Sequence, residues 1–308
     1  MSGLFVKGSV SSDLGEGRTN NEDNYFLNGR TADYKYSENQ NSTAFHGLSQ
    51  NGVFAVFDGM GGSAKGEFAS LCAASTLGKY TDSIINDTES SVNDYIEDTN
   101  KQICREAEKI NRPIGSTMAL LVIKDGRAKS YNLGDSCIYH ISKGRVTRIT
   151  HSHTVAEQLY RMRAITREEA ERDIRRHRLT KHLGMKNTDN RNLAPYVSST
   201  IKLLKNDTFV LCTDGISDSV NEREINSIVE RFDGKCKKTA DAIIEKAIRN
   251  GSRDNLTAMV LRITSNRSKS ILSKFSFGGY LHLYQLLPVI FVSAAVLLLL
   301  ILIIFCLK

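Results

Sequence analysis

Residues 54–70 read FAVFDGMGGSAKGEFAS, and the reading of this stretch decides the fold. The apolar residues Phe54 to Phe57 run straight into Asp58. Gly59, Met60, Gly61 and Gly62 follow, and a helix-like pattern begins near residue 63. The run 52–57 alternates poorly, as expected of a strand covered on both faces. Its terminal aspartate then lies at the rim of a sheet. Gly59 leaves its backbone carbonyl bare, while Gly61 and Gly62 let the chain turn tightly into the helix. A carboxylate beside a bare carbonyl is an oxygen-donor pair of the kind Mg2+ and Mn2+ prefer. An Asp-Gly pair is equally ordinary turn chemistry, so the weight falls on recurrence.

The pattern does recur. FVLCTDGISD sets Asp214 and Gly215 at the end of an apolar run, 207–213. SRDNLTAMVL sets Asp254 just before another, 256–263. GRTNNEDNYFL sets Glu22 and Asp23 before a further run, 24–28, with Arg18 a short way ahead of them. SYNLGDSCIYHI sets Asp135 in a tight turn between the runs 127–133 and 136–141. Each acid alone fits a hairpin or cap position. Brought together they would repel one another, and such convergence makes sense only if cations neutralise it.

The remaining strand-like runs are 4–10, 117–123 and 194–203. Helix-like runs cover 63–80, 90–110, 152–163, 166–184, 221–231 and 236–250. The strands cluster as meanders and the helices come in consecutive pairs. That suits an α+β fold of antiparallel sheets covered by helix pairs, not a doubly wound parallel sheet.

The 308 residues carry a net charge of +7 and are 41% apolar, ample for a core. The basic residues are dispersed with no aromatic-flanked stripe, which argues against nucleic acid as a partner. Cys72, Cys104, Cys137, Cys212, Cys236 and Cys306 form no CxxC pair and no metal-ligand spacing, so they read as scattered buried thiols. The N-terminus turns polar at once and has no signal-peptide pattern.

Residues 286–307, LLPVIFVSAAVLLLLILIIFCL, hold no charge. As a helix they would be about 33 Å long, close to the hydrocarbon thickness of a bilayer. Tyr280 and Tyr284 sit where an interfacial aromatic belt would. Arg267, Lys269 and Lys274 precede the span and Lys308 follows it, which leaves the larger part of the chain in the cytoplasm. The expected layout is a soluble domain at 1–264, a basic juxtamembrane tether at 265–285 and a tail-anchoring transmembrane helix at 286–307.

The ordered motifs GRTNNEDN, VFDGMGG, GSTMALLVI, NLGDSCIY, LCTDGISD and RDNLTAMVL resemble those of the metal-dependent type-2C serine/threonine protein phosphatases in their bacterial form, over residues 3 to 263. The resemblance implies a four-layer α-β-β-α sandwich of two antiparallel sheets flanked by helix pairs. It implies that Asp58 bridges two Mn2+ or Mg2+ ions. The Gly59 carbonyl would ligate the first ion, and Asp214 and Asp254 the second. Glu22 and Asp23 would lie close to the metals, Asp23 through water, and Asp135 with Asp214 would match a third-ion site. Arg18 would grip the substrate phosphate with its bidentate fork. The implied reaction is hydrolysis of phosphoserine and phosphothreonine on proteins, the substrates of a serine/threonine kinase, by a water activated between two metals.

Three positions depart from the family pattern. Met60 stands where some members carry a histidine proposed as general acid, Cys137 replaces the arginine of G-D-S-R, and Ser152 stands where aspartate is common. None is a metal ligand. Residues 152–184 match a mobile flap rich in Arg and Lys, read first as a solvated helical face. His151, His153, His177 and His182 have no metal-ligand spacing and read as surface histidines. Two other classes compete: a two-metal phosphohydrolase of small phosphoesters, and a membrane-tethered binding module with weak catalysis.

Overall fold

A computed structural model describes residues 3–32, 41–61, 65–186 and 193–265. Gly62, the first residues expected in the helix at 63, and the segments 266–285 and 286–307 lie outside the described residues. Among the described residues, no helix is long and apolar enough to cross a membrane.

The strand ending at the opening aspartate is β4, Gly52–Met60 in a strand order that begins β1 (Leu4–Asp13), β2 (Asp23–Leu27), β3 (Ser42–Ser49). It is buried along nearly its whole length, and the poor alternation has a structural cause. Val53, Ala55 and Phe57 pack beneath the helix pair α1 (Gly66–Asn86) and α2 (Thr88–Ile110), while Phe54 and Val56 pack toward a second sheet. Both faces are apolar, so the period of two disappears from the sequence. It persists in space, and it carries Asp58 onto the inter-sheet side at the rim.

The first sheet runs β10-β7-β6-β4-β2, with β5 (Gly115–Ser116) beside the end of β4. Here β6 is Met118–Lys124, β7 Arg127–Leu133 and β10 Tyr196–Val197. The second sheet runs β3-β1-β13-β12-β8-β9, with β8 at Cys137–Ser142, β9 at Arg145–Arg148, β12 at Thr208–Cys212 and β13 at Leu256–Ser265. All pairings are antiparallel. A central apolar layer joins the sheets through Tyr25, Leu27, Phe54, Leu121, Phe209, Leu211, Met259 and Leu261. An outer layer of Ile225, Val229, Ala240, Ile243 and Ala247, from α6 (Glu222–Phe232) and α7 (Cys236–Arg249), covers the second sheet. The α-β-β-α sandwich is therefore present, within one compact unit spanning Gly3–Ser265.

Several local expectations need correction. The run expected as one helix over 166–184 is helical only at α4, Arg167–Arg172, and the helix expected at 152–163 is the shorter α3, Val155–Arg161. Thr166 starts α4 with a reciprocal capping box to Glu169. Ala170 is its one buried residue, so no apolar stripe exists to carry the helix further. The strand expected at 194–203 is broken into β10 and β11 (Ile201–Lys202), both paired to β7. Val197 faces Tyr131 but Ile201 faces Ala128, one residue out of register. That is a bulge, stitched by Ser198 Oγ accepting the Ser130 N–H at 3.0 Å. The sequence reading also passed over β3, β9 and the short α5, Asp214–Ser217.

Candidate metal centre

The rim between the sheets gathers the acids. Asp23 opens β2 and faces Asp58 directly across the ladder. Asp214 follows β12, Asp254 precedes β13, and Asp135 occupies the turn between β7 and β8. Burial lifts the Asp58 carboxyl well above the usual carboxylate range, and Asp214, Asp23 and Asp135 push it further. Asp135 is lifted in the same way, by burial and then Asp214. Burial also raises Asp214, against a hydrogen bond from Asp58 that lowers it. Burial pushes Asp23 up to about 8 although Thr257 and Thr213 hydrogen-bond it. Asp58 thus feels Asp23, Asp135 and Asp214, and Asp254 acts on Asp23 and Asp214.

The supporting hydrogen bonds explain motif residues beyond the acids. Thr117 is buried, and its Oγ1 accepts the Asp58 N–H at 2.9 Å while its own N–H donates to the Asp58 carbonyl at 2.9 Å. The same hydroxyl meets Ser136 Oγ at 2.6 Å, tying Asp58 to the turn that carries Asp135. Thr213 Oγ1 donates to Asp23 Oδ2 at 2.8 Å and accepts the Thr257 N–H at 3.1 Å. Asn255 Oδ1 accepts the Glu22 N–H at 2.9 Å, and its Nδ2 donates to the Leu14 and Asn20 carbonyls at 2.8 and 3.0 Å. That pins the loop bearing Arg18 and Glu22 onto the start of β13. Sequence reasoning missed Thr117, Thr213 and Asn255. The available signal was position, since Thr213 and Asn255 adjoin Asp214 and Asp254.

Two glycines serve close approach. A Cβ on Gly59 would lie 2.2 Å from the Gly66 carbonyl oxygen and 2.5 Å from that of Glu22. A Cβ on Gly215 would lie 2.2 Å from the Asn255 carbonyl oxygen. The first pulls the start of α1 against the site, and the second seats α5 on the segment that carries Asp254 into β13.

Glu22 is drawn to the start of α1, where the Gly66 N–H hydrogen-bonds it. Burial and then Glu67 nevertheless push it up to about 7. Arg18 reaches Asp254, Nη2 to Oδ1 at 2.5 Å, and its Nε donates to the Arg253 carbonyl at 3.3 Å. Both partners of that ion pair are exposed, so it adds about 0–1 kcal/mol.

The flap contributes one residue that the sequence reading set aside. His177 comes together with Asp214 and Asp218, their ligand atoms within 4.8 Å of one another. The other histidines in or beside the flap are engaged elsewhere. His153 Nδ1 accepts the Gly134 N–H, His182 Nδ1 meets the Leu183 carbonyl, and His151 stacks edge-on against Tyr196. His177, Arg148, Arg176, Ser217 and the acids Asp135, Asp214 and Asp218 line a cavity of about 440 Å3. Arg148 also accounts for two departures from the family pattern. It donates to the Asp135 carbonyl at 3.2 Å and to Ser152 Oγ at 2.7 Å, and its charge lies beside Cys137. A guanidinium thus reaches this corner from β9, although position 137 itself is cysteine.

The donor set fits hard divalent cations. Apart from His177 it is all oxygen, it is over-supplied with carboxylates, and Asp214 Oδ1 is buried without a hydrogen-bond partner among the described residues. Repulsion that lifts these carboxyls is what divalent cations at the rim would remove.

Comparison with known proteins bears on what such a rim does. A family model described as Protein phosphatase 2C matches residues 28–251. The serine/threonine phosphatase stp of Listeria welshimeri is 26% identical over 234 residues, covering 74% of this chain and 90% of the relative. The protein phosphatase PhpP of Streptococcus pneumoniae is 28% identical over 263 residues, covering 82% of this chain and 96% of the relative. The solved catalytic domain of the serine/threonine protein phosphatase PstP, in complex with two manganese ions, superposes with a TM-score of 0.65 at 25% identity, covering 85% of this chain and 99% of that one.

Proposed function

The chain belongs to the protein phosphatase 2C family, and we propose that its acidic rim removes phosphate from phosphoserine and phosphothreonine side chains of proteins by metal-dependent hydrolysis. The observation that carries this reading is the meeting of Asp23, Asp58, Asp135 and Asp214, from separate strand ends, in one mutually repelling cluster. The relatives' names support it, as do the two manganese ions in the solved PstP domain.

Asp58 and the Gly59 carbonyl would hold a first Mn2+ or Mg2+ ion, and Asp58 with Asp214 and Asp254 a second. Asp135 with Asp214 would offer a further site. Glu22 and Asp23 would lie outside direct ligation, Asp23 held in place by Thr213. Such ions supply Lewis acidity to a phosphoryl group and lower the pKa of water. The protein's own part is positional. Thr117 and Thr213 fix the carboxylates, and Asn255 fixes the loop that presents Arg18. The exposed Arg18 fork would take two phosphoryl oxygens. Met60 offers no proton to the departing serine or threonine oxygen.

Substrates are then the phosphoproteins made by a serine/threonine kinase. The uncharged span 286–307 and its basic flank support a membrane-anchored form with the catalytic unit on the cytoplasmic side. The experiment that tests the reaction compares phosphate release from a phosphothreonine peptide and from a nucleotide monophosphate with Mn2+ present. Faster turnover of the peptide supports the reading. Turnover of the nucleotide alone would point to a small-phosphoester hydrolase.

A further inference from the structure

The six cysteines looked scattered in the sequence, but the fold does not keep them so. Cys137 is the first residue of β8 and Cys212 the last of β12, and the two are register partners across the antiparallel ladder. Their sulfurs lie 3.5 Å apart, and both side chains are fully buried. The other described cysteines have no such partner: Cys72, Cys104 and Cys236 contact Gln102, the Met185 carbonyl and the Lys7 carbonyl. The pair plays no part in the hydrolysis proposed above. It flanks the site on both strands. Asp135 lies two residues before Cys137, and Asp214 two residues after Cys212.

Two residues beside the pair also border the site. Arg148 and Ser217 both face Cys137, and both line the 440 Å3 cavity beside the acids.

We propose that Cys137 and Cys212 form a reversible disulfide when the protein meets hydrogen peroxide, and that this bond lowers phosphatase activity. In the first step one sulfur attacks a peroxide oxygen and the O–O bond breaks. The sulfur becomes a sulfenic acid, and the other oxygen leaves as water with the thiol proton. In the second step the facing sulfur attacks the sulfenic sulfur, the S–O bond breaks and a second water leaves. Two thiols and one peroxide thus give one disulfide and two waters. A dithiol reductant reverses the change by exchange.

Closing the pair to a disulfide bond length of about 2.05 Å draws the sulfurs together by about 1.5 Å. The strand ends must absorb that movement, and each leads directly into a site acid. The loss of activity rests on the function proposed above, whereas formation of the bond does not.

The test uses the full-length protein in detergent, treated with hydrogen peroxide, quenched, digested without reduction and mapped by mass spectrometry. The expected product is a peptide pair joined through Cys137 and Cys212, about 2 Da lighter than its two thiol peptides. Alongside it, Mn2+-dependent hydrolysis of an aryl phosphate should fall by about tenfold or more and recover with dithiothreitol. Cys137→Ser and Cys212→Ser should keep basal activity and lose the peroxide response. Should a serine variant misfold, Cys137→Ala and Cys212→Ala replace it, and mapping of the wild type needs no variant at all. Absence of the joined peptides from folded, peroxide-treated protein overturns the proposal. So does a joined pair with unchanged activity, or equal peroxide loss in the variants. A chain that forms the bond but never hydrolyses any phosphoester would instead fail the functional reading while leaving the modification site standing.

Discussion

Thr117→Val isolates the hydroxyl that holds the centre of the site. Valine matches threonine in shape, so packing is kept. What disappears is the acceptor for the Asp58 N–H and the 2.6 Å contact with Ser136. Thr117 is 2% exposed, so water does not replace either bond. A buried group left unpaired costs about 1–3 kcal/mol. With two groups affected, and Ser136 free to rotate toward another acceptor, the loss should be about 2–4 kcal/mol. For a domain of this size each kcal/mol lowers Tm by about 2–4 °C, so melting should fall by about 5–15 °C. Asp58 is also released from its tether to the Asp135 turn, which should lower kcat by about ten- to a hundredfold. Thr117→Ser keeps the hydroxyl and loses only a methyl, at about 1 kcal/mol. The assay is a thermal melt by circular dichroism in EDTA, paired with Mn2+-dependent turnover. The reasoning is refuted if Thr117→Val melts with the wild type. It is equally refuted if Thr117→Ser falls as far as Thr117→Val, because the methyl and not the hydroxyl would then matter.

Other consequences are as direct. Arg18→Ala should mainly raise KM for a phosphopeptide, because a ground-state phosphate contact is lost; unchanged kinetics would make Arg18 structural. Glu22 and Asp23 are pushed up to about 7 and about 8 from ordinary values of 4.5 and 3.8, so the folded metal-free chain keeps protons that the unfolded chain has lost. The stability these two groups contribute should therefore be full below about pH 4 and lost as pH rises to about 8, while saturating Mn2+ should flatten that loss; a metal-free pH profile that is the same for Asp23→Asn as for the wild type contradicts the assigned burial. Full-length protein should stay with membranes through a carbonate wash, and a chain cut at about residue 266 should not. If both partition alike, 286–307 is not an anchor.

The acids were legible because each closes or opens an apolar run, and a strand end can be read from hydrophobicity alone. Their supports were not, because Asn255 and Thr117 act on residues far along the chain. Asn255 reaches Glu22, and Thr117 reaches Asp58 and Ser136. The edge strand β3 escaped because its exposed Phe45 and Leu48 spoil any one-sided pattern. The flap was over-read as helix because its charges repeat at helical spacing without an apolar face beneath them. The cysteine pair was invisible for another reason. Sequence spacing says nothing about which residues a ladder sets opposite each other, and only the register of β8 on β12 brings residues 137 and 212 together.

The central claim is that the acids at the rim hold divalent cations and that dephosphorylation depends on them. Phosphate release from a phosphothreonine peptide, measured for the full-length protein and for Asp58→Asn with Mn2+ and then with excess EDTA, addresses it most directly. The account predicts turnover only for the wild type and only with Mn2+ or Mg2+, with Asp58→Asn folded but inactive. Full turnover in excess EDTA, or by Asp58→Asn, would contradict it.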